Sequence, residues 1–380
     1  MPQYIFHLGN TPKLSLLELQ FLTSDTKIQI FNTSLCSLEL KNDSEAIRLA
    51  NLTGGIVKVS SLIKTTKKDS IDDIHKELIE YLASIAVEDK VRFSIGVLGD
   101  EELLIDHSEI KKQLSMQYIK SSFKVPLEKQ LSAASLVNEK KLFEILVVKK
   151  EKEVLFVKTI WVQQLSEWVH RDRNKPYYDR RKGMLPPKVA RMLVNIAVED
   201  SKEKKVIYDP FCGSGTILME GLMIGCRVVG SDIDYSSVLG SQQNIDFLKK
   251  EYQLKHKSLV FTKDATGVKT EDLPVNIDAI VTEPYLGRQT PKQDQLDNIF
   301  KGLYKLYLGC FKTWMTLLKR KARIVIILPV VKTPKKTYSL EKLIDKIKDF
   351  GYTPLVKPVI YSRPQAIVQR QIYIFELNKE

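Results

Sequence analysis

The chain has 380 residues, of which 43% are hydrophobic and 28% charged. This globular balance predicts two or three domains with sizeable cores and excludes a mainly disordered chain. The longest apolar run, Ile324 to Val331, is far shorter than the ~20 residues that cross a bilayer. Basic residues outnumber acidic ones 59 to 46, for a net charge of +13. This excess favours nucleic acid as partner, although an acidic membrane surface, an acidic protein or a merely lysine-rich surface also fits.

The cysteines and histidines predict neither disulfides nor a metal site. Cys36, Cys212, Cys226 and Cys310 are scattered along the chain without metal-ligand spacing. We therefore expect free, buried thiols in a reducing, cytoplasmic compartment. The residues from Met1 to Phe6 show no basic segment and no small-residue cleavage site, so no signal peptide is expected.

Residues 1–165 alternate short β-type runs with amphipathic helices and predict an α+β region. A helix over 70–86 is indicated because Ile71, Ile74, Leu78 and Leu82 recur on one helical face. Strands are predicted at 55–59, 90–95, 143–148 and 153–157, and the last two are joined by a charged turn.

Residues 166–187 form a highly charged stretch with three prolines and aromatic residues placed between arginines. We interpret this stretch as a linker. The same pattern is also useful for holding RNA or a cofactor, so both alternatives stay open.

Residues 188–380 show a regular alternation of strands and helices. Helices are predicted at 188–198, 215–223 and 236–252, and strands at 205–209, 227–232, 258–261 and 277–281. Such alternation predicts an α/β domain with a parallel sheet and helices on both faces. The strands predicted at 356–361 and 370–377 have no helix between them and indicate a terminal hairpin.

The strongest local motif is Asp209-Pro210-Phe211-Cys212-Gly213-Ser214-Gly215-Thr216, where a predicted strand ends and a helix begins. Glycines at such a turn let a ligand approach the backbone, and the helix N-terminus supplies free N–H donors. The motif has no Gly-Lys-Ser/Thr ending, which excludes a triphosphate-binding loop.

Acidic residues also follow the next two predicted strands. Asp232, followed by Ile233, is placed to accept hydrogen bonds from two ribose hydroxyls, and Asp264, followed by Ala265, can accept one from an adenine amine. These residues would bind an adenosine through its ribose and its base, with no need for a diphosphate. This pattern indicates S-adenosylmethionine as the cofactor, and an NAD-dependent enzyme is the competing interpretation. Each carboxylate could also be a helix N-cap.

The fourth strand of this series is followed by Glu283-Pro284-Tyr285. A carboxylate and the proline carbonyl can orient an exocyclic amine for methylation, and the aromatic ring can stack on an extruded base. These three residues are the predicted catalytic group. The alternative is an ordinary turn after a strand.

The cofactor motif looks like that of amino methyltransferases that act on nucleic-acid bases. The stretch Arg171-Asp172, Pro176 and Gly183 to Ala190, with the start Tyr4 to Gly9 and Leu14 to Leu19, resembles the THUMP-domain tRNA guanosine N2-methyltransferases, the archaeal and eukaryotic enzymes that modify guanosine-10. The resemblance implies a Rossmann-like methyltransferase domain at 188–380, preceded by a ferredoxin-like and THUMP RNA-binding region at 1–165. The predicted cofactor-binding residues are Asp209, Phe211, Gly213, Ser214, Gly215, Thr216, Asp232, Ile233, Asp264 and Ala265.

The resemblance also implies tRNA as the partner. No membrane partner is expected, because the longest apolar run is too short to cross a bilayer. Four arginines of the charged stretch are candidates for tRNA backbone contacts: Arg171, Arg173, Arg180 and Arg181. In some members of the family a small zinc-containing protein activates the enzyme, so such a partner is compatible with the resemblance.

The acceptor motif departs from the family pattern, which usually reads Asp-Pro-Pro-Tyr. Here the aligned residues are Glu283, Pro284, Tyr285 and Leu286. The extra methylene of glutamate would place its oxygen about 1.5 Å further out unless the backbone retracts. Two alternatives therefore stay open: methylation of an amine on ribosomal RNA or DNA, and a non-catalytic RNA-binding protein that keeps a relic cofactor pocket.

Overall fold

The computed structural model describes residues 1–23, 26–88, 90–99, 103–139, 141–150, 153–179, 184–200, 205–273, 275–362 and 365–378. Its contacts divide the chain into two compact units. The first unit comprises Met1–Pro12, Asp25–Leu52 and Ile56–Glu167. The second comprises Lys13–Ser24, Thr53–Gly55 and Trp168–Glu380.

The first unit is built on one mixed sheet. Its strands are β1 (Gln3–Leu8), β2 (Gln29–Ile30), β3 (Leu35–Glu39), β4 (Ile56–Thr66), β5 (Lys90–Leu98), β6 (Lys120–Phe123), β7 (Phe143–Lys150) and β8 (Glu153–Val162). They lie in the order β2-β3-β1-β4-β8-β7-β5-β6. Its helices are α2 (Asp43–Leu52), α3 (Ile71–Ser84), α4 (His107–Met116) and α5 (Ala133–Asn138). The α+β prediction for this region is thus confirmed. Helix α3, with Ser70 as its N-cap, buries Ile74, Leu78 and Leu82 of the predicted apolar face, whereas Ile71 at its start is exposed.

The second unit contains the helices α1 (Pro12–Leu22), α7 (Pro187–Val198), α8 (Thr216–Met223), α9 (Tyr235–Glu251), α10 (Leu296–Leu317) and α11 (Glu341–Lys348). Its strands are β9 (Val206–Asp209), β10 (Arg227–Asp232), β11 (Ser258–Thr262), β12 (Ile277–Thr282), β13 (Leu318–Lys332), β14 (Thr337–Tyr338), β15 (Tyr352–Pro354), β16 (Val359–Tyr361) and β17 (Val368–Leu377). Helix α6 (Leu165–Arg173) lies where the chain passes from one unit to the other.

The sheet of the second unit has the order β11-β10-β9-β12-β13-β17-β15. The strands from β11 to β13 are parallel, whereas β17 runs antiparallel to β13 and also pairs with β16. This confirms the predicted Rossmann-like sheet and the terminal hairpin. The strand order reverses between β9 and β12, and in open α/β sheets ligands bind at the carboxyl ends of the strands on either side of such a reversal.

Alternate residues of the central strands face two separate cores. Tyr208 and Ile280 belong to the core beneath α10 and α11, whereas Ile207 and Val281 belong to the core that contains α7 and α8. Because successive side chains of a strand point to opposite faces, continuous apolar strands are what a sheet covered on both faces requires.

Helix α1 comes early in the chain but packs into the second unit. Leu14 and Leu17 join the core that contains α7. The buried Glu18 carboxylate accepts hydrogen bonds from the Gly54 and Gly55 N–H groups at 2.8 and 2.9 Å. It also accepts one from the Asn195 side chain at 2.6 Å. The second unit is therefore assembled from three separate stretches of chain.

The cysteines are free and buried, as the sequence predicts. Among the described residues, no helix is both long and apolar enough to cross a membrane. In the same residues, no group of three or more potential metal ligands comes together.

Candidate functional site

The site is centred on Asp209, the last residue of β9, whose exposed fraction is 1%. Its Oδ1 accepts hydrogen bonds from Thr282 Oγ1 at 2.7 Å and from the Phe211 N–H at 3.1 Å. Burial raises the pKa of Asp209 to about 7, and the negative charges of Asp232 and Glu283 add to the rise. The ends of β9 and β12 are thus tied together at the point where the strand order reverses.

The loop that follows Asp209 depends on two glycines with positive φ, 50° at Gly213 and 78° at Gly215. A Cβ added to Gly215 would lie 2.4 Å from Ser241 Oγ, so helix α9 approaches too closely for any side chain there. A Cβ added to Gly213 would meet nothing nearer than a carbonyl oxygen at 4.0 Å. The loop therefore leaves room for a ligand above Gly213.

Asp232, the last residue of β10, holds this loop. One carboxylate oxygen accepts the Gly213 N–H at 3.0 Å, and the other accepts the Asp234 N–H at 3.0 Å. Each oxygen can accept a second hydrogen bond, so the half-buried carboxylate can still bind a ribose diol. Ile233, next along the chain, is 71% exposed and offers an apolar surface beside it.

Asp264 follows β11 and is exposed. Its Oδ1 accepts hydrogen bonds from the backbone N–H and the hydroxyl of Thr266, both at 2.8 Å. The residue therefore also stabilises its own turn, and Ala265 beside it is buried.

The remaining predicted cofactor residues lie within or next to the loop. Phe211 is half-buried and packs against the core beneath α10. Ser214 Oγ lies 3.4 Å from Thr216 Oγ1, and Thr216 begins α8. Cys212 is not suited to act as a nucleophile, because burial raises the pKa of its thiol well above the ordinary value.

The predicted acceptor residues occupy the corner after β12. Arg370, on β17, donates from Nε to Glu283 Oε1, and both side chains are 15% exposed. Pro284 is buried, and the Tyr285 side chain is 59% exposed. The Tyr285 carbonyl accepts a hydrogen bond from the Tyr307 hydroxyl at 2.6 Å, which fixes the backbone of the corner to α10.

Sequence reasoning missed the residues that fix the cofactor loop from outside it. Asn244, on α9, donates to the carbonyls of Ser214 and Tyr177, both at 2.8 Å, and accepts the Tyr177 N–H at 2.8 Å. A Cβ on Gly240 would lie 2.1 Å from the Tyr177 ring, so this glycine lets the ring rest on α9. In the sequence, the only indication of these contacts was the pattern of aromatic residues between arginines in residues 166–187, which includes Tyr177.

The four arginines predicted to contact tRNA fall into different environments. Arg171 is 4% exposed; its Nε donates to the buried Glu220 at 2.9 Å, and its guanidinium lies 4.5 Å from the centre of the Trp168 ring. This burial places Arg171 inside the second unit rather than on a surface that RNA could reach. Arg173 is exposed. Arg180 and Arg181 lie outside the described residues.

Two family models match overlapping parts of the chain. A model described as an RMKL-like methyltransferase domain matches residues 177–357, and one described as a DNA methylase matches residues 63–242. In fold, the chain is similar to a solved structure of TrmN from Thermus thermophilus, with a TM-score of 0.56 at 15% identity over 99% of both chains.

Curated relatives carry a common description. The chain is 28% identical to the tRNA (guanine(10)-N2)-dimethyltransferase of Methanocaldococcus jannaschii over 61% of this chain and 72% of that protein. It is 35% identical to the probable tRNA (guanine(10)-N2)-dimethyltransferase of Methanothermococcus thermolithotrophicus over 30% of this chain and 70% of that protein. The chain belongs to the tRNA (guanine(10)-N2)-dimethyltransferase family. This membership confirms the predictions of a methyltransferase and of S-adenosylmethionine as its methyl donor.

Proposed function

We propose that this enzyme methylates the exocyclic N2 amine of guanosine-10 in tRNA. The observation that carries the proposal is the hydrogen bond between Thr282 and Asp209, which joins the cofactor loop after β9 to the acceptor corner after β12. This contact brings a loop suited to an adenosine and a carboxylate suited to an amine to one edge of the sheet. The named relatives support guanosine-10 of tRNA as the target.

The loop geometry supports the cofactor-binding roles that we propose. The open space above Gly213 and the remaining acceptor capacity of Asp232 fit an adenosine-bearing ligand. When bound there, S-adenosylmethionine supplies an electrophilic methyl group. Asp232 is proposed to hold the ribose, and Asp264 the adenine amine.

The catalytic roles fall on the acceptor corner. An exocyclic amine is a poor nucleophile because its lone pair is delocalised into the base. Arg370 binds Glu283 through Oε1 and so leaves Oε2 as the acceptor for an amine N–H. The Pro284 carbonyl is proposed as a second acceptor, and the exposed Tyr285 ring as the surface on which the base stacks.

The same contact accounts for the departure from the family motif. Glutamate reaches about 1.5 Å further than aspartate, and here the longer side chain reaches the guanidinium of Arg370. We propose that Arg370 fixes this more flexible carboxylate, which makes Arg370 a positioning residue.

We propose that the first unit is the ferredoxin-like and THUMP region and that it helps to bind tRNA. Its α+β sheet is compatible with this role, and the net charge of +13 favours a polyanionic partner. We also propose a cytoplasmic location, which a tRNA substrate supports. The small zinc-containing activator stays a prediction of the family resemblance.

The test is methyl transfer from labelled S-adenosylmethionine to a tRNA transcript that carries guanosine-10, followed by mass spectrometry of the nucleosides. We expect N2-methylated guanosine, and a matched transcript with adenosine at position 10 should take up no label. Glu283→Ala should abolish transfer and keep cofactor affinity within about threefold, whereas Asp232→Ala should weaken cofactor binding itself. Label on the adenosine-10 transcript, or on ribosomal RNA or DNA only, would contradict the proposed target. RNA binding without any transfer would instead indicate a non-catalytic protein.

A further inference from the structure

Lys175 is a buried cation beside the cofactor loop. The residue is 2% exposed, although it lies in a highly charged stretch. Its Nζ donates to Thr216 Oγ1 at 3.4 Å, which is at the long limit for a hydrogen bond. An ammonium ion removed from water is costly unless an opposite charge or several good hydrogen bonds replace its hydration. An anion bound next to Lys175 would therefore stabilise its buried ammonium group.

The neighbouring carboxylates do not supply that anion. In the part of the chain that the structure describes, no carboxylate lies within ion-pair distance of Lys175 Nζ. Glu220, which acts on Lys175 from further away, is already bound by Arg171 and Arg191 at 2.9 and 2.7 Å. Burial lowers the pKa of Lys175, and the charges of Asp172 and Glu220 only partly oppose this effect.

The position of Lys175 indicates which anion fits. Thr216, its hydroxyl partner, is the first residue of α8, and Gly215 at the N-cap supplies no capping side chain. The N-terminus of a helix carries partial positive charge and free N–H donors, so it adds to the attraction for an anion. The Ser214 hydroxyl, 3.4 Å from that of Thr216, is a further donor at the same place.

We propose that Lys175 is a cofactor-binding residue whose ammonium group binds the α-carboxylate of the methionine part of S-adenosylmethionine. This inference rests on the proposed function, because it needs that donor in the loop. Asp232 then holds the ribose on one side of Gly213, while Lys175 and the start of α8 hold the carboxylate on the other. The donor carries one carboxylate, and among the described residues around this loop Lys175 is the buried cation that has no carboxylate within ion-pair distance.

The contacts of the neighbouring backbone explain how the lysine is held in place. Two residues further on, Tyr177 exchanges hydrogen bonds with Asn244, and Asn244 also donates to the Ser214 carbonyl. The chain that carries Lys175 and the loop that would carry the ligand are thus fixed to the same side chain of α9. A cation positioned in advance binds its partner with less loss of conformational freedom.

The test compares S-adenosylmethionine with its decarboxylated form by isothermal titration calorimetry. A charge-assisted hydrogen bond contributes about 1.5–3 kcal/mol, so the unaltered protein should bind S-adenosylmethionine about 10- to 100-fold more tightly than the decarboxylated compound. Lys175→Met should reduce this preference to less than about threefold and should bind the decarboxylated compound at least as tightly as the unaltered protein does. Lys342→Met, an exposed lysine on α11, is the matched control and should keep the full preference.

A second measurement separates ligand binding from a purely structural role. Without cofactor, Lys175→Met should raise the midpoint of thermal unfolding, because an apolar side chain replaces a buried charge that lacks a counter-ion. A lysine that only supported the fold would give a lower midpoint. The proposal is overturned if Lys175→Met keeps the preference for the carboxylate, or if the unaltered protein shows no such preference. If the unaltered protein bound neither compound, the proposed function itself would fail instead.

Discussion

The ion pair between Arg370 and Glu283 allows a quantitative prediction. Both side chains are 15% exposed, so the pair lies between a surface pair and a fully buried one. Removing one partner of a fully buried pair costs about 3–5 kcal/mol, whereas exposed pairs contribute about 0.2–1 kcal/mol. We therefore expect Arg370→Met to lower the free energy of unfolding by about 2 kcal/mol.

The coupling between the two residues can be isolated with a double-mutant cycle. Urea unfolding at pH 7 is measured for the unaltered protein, Arg370→Met, Glu283→Gln and the double variant. The interaction energy is the difference between the effect of Arg370→Met on the free energy of unfolding in the unaltered protein and its effect in the Glu283→Gln background. We expect about 1–2 kcal/mol. A value below about 0.5 kcal/mol would refute the interpretation that this ion pair organises the acceptor corner.

Catalysis provides the functional readout for the same variant. If Arg370 only positions the carboxylate, Arg370→Met should lower kcat by at least about tenfold while the affinity for S-adenosylmethionine stays unchanged. Arg370→Lys should recover little, because a lysine does not reproduce the directed Nε–H donor of a guanidinium. A loss of cofactor affinity equal to the loss of kcat would show that the residue acts on the whole site rather than on the acceptor.

Two further predictions concern the cofactor loop. Because the pKa of Asp209 rises from 3.8 to about 7 on folding, the folded protein retains a proton that the unfolded chain releases. The contribution of Asp209 to the free energy of unfolding should therefore fall as the pH rises from about 4 to 7, by at most about 1.4 kcal/mol per pH unit. In urea unfolding between pH 5 and 8, Asp209→Asn should flatten this dependence, and an unchanged slope would contradict the assignment. Gly240→Ala places a methyl group 2.1 Å from the Tyr177 ring and should cost about 1–3 kcal/mol in thermal unfolding. Adding Tyr177→Ala should remove most of that extra cost, and a neutral Gly240→Ala would show that the ring does not need this space.

The strand ends of the second unit were predictable because the information is local. Residues such as Asp209 and Asp232 directly follow short apolar runs, and parallel strands place their carboxyl ends at one edge of the sheet. The positions of Glu283 and of the glycine loop follow from the same pattern. Thus the α/β sheet and the motif that begins at Asp209 could be read from spacing and residue type alone.

The residues that support this site could not be predicted, because their roles depend on distant packing. Arg171 looked like a surface arginine in a charged stretch, yet its guanidinium is buried against Glu220 and Trp168. Arg370 reaches Glu283 only because β17 returns antiparallel beside β13. No local pattern gives such a register, and the burial of a charge is decided by a partner far away in the sequence.

The packing of helix α1 has a consequence for how the protein is made. Glu18 and Asn195 form a buried hydrogen bond across a sequence separation of 177 residues. During synthesis on the ribosome, α1 therefore emerges long before the helix on which it packs. The second unit cannot complete its core until α7 has been translated, and until then the apolar face of α1 stays without its final cover. A fragment that begins at Trp168 would lack α1 altogether and would expose part of that core. The second unit therefore cannot be produced on its own by truncating the chain at a single residue.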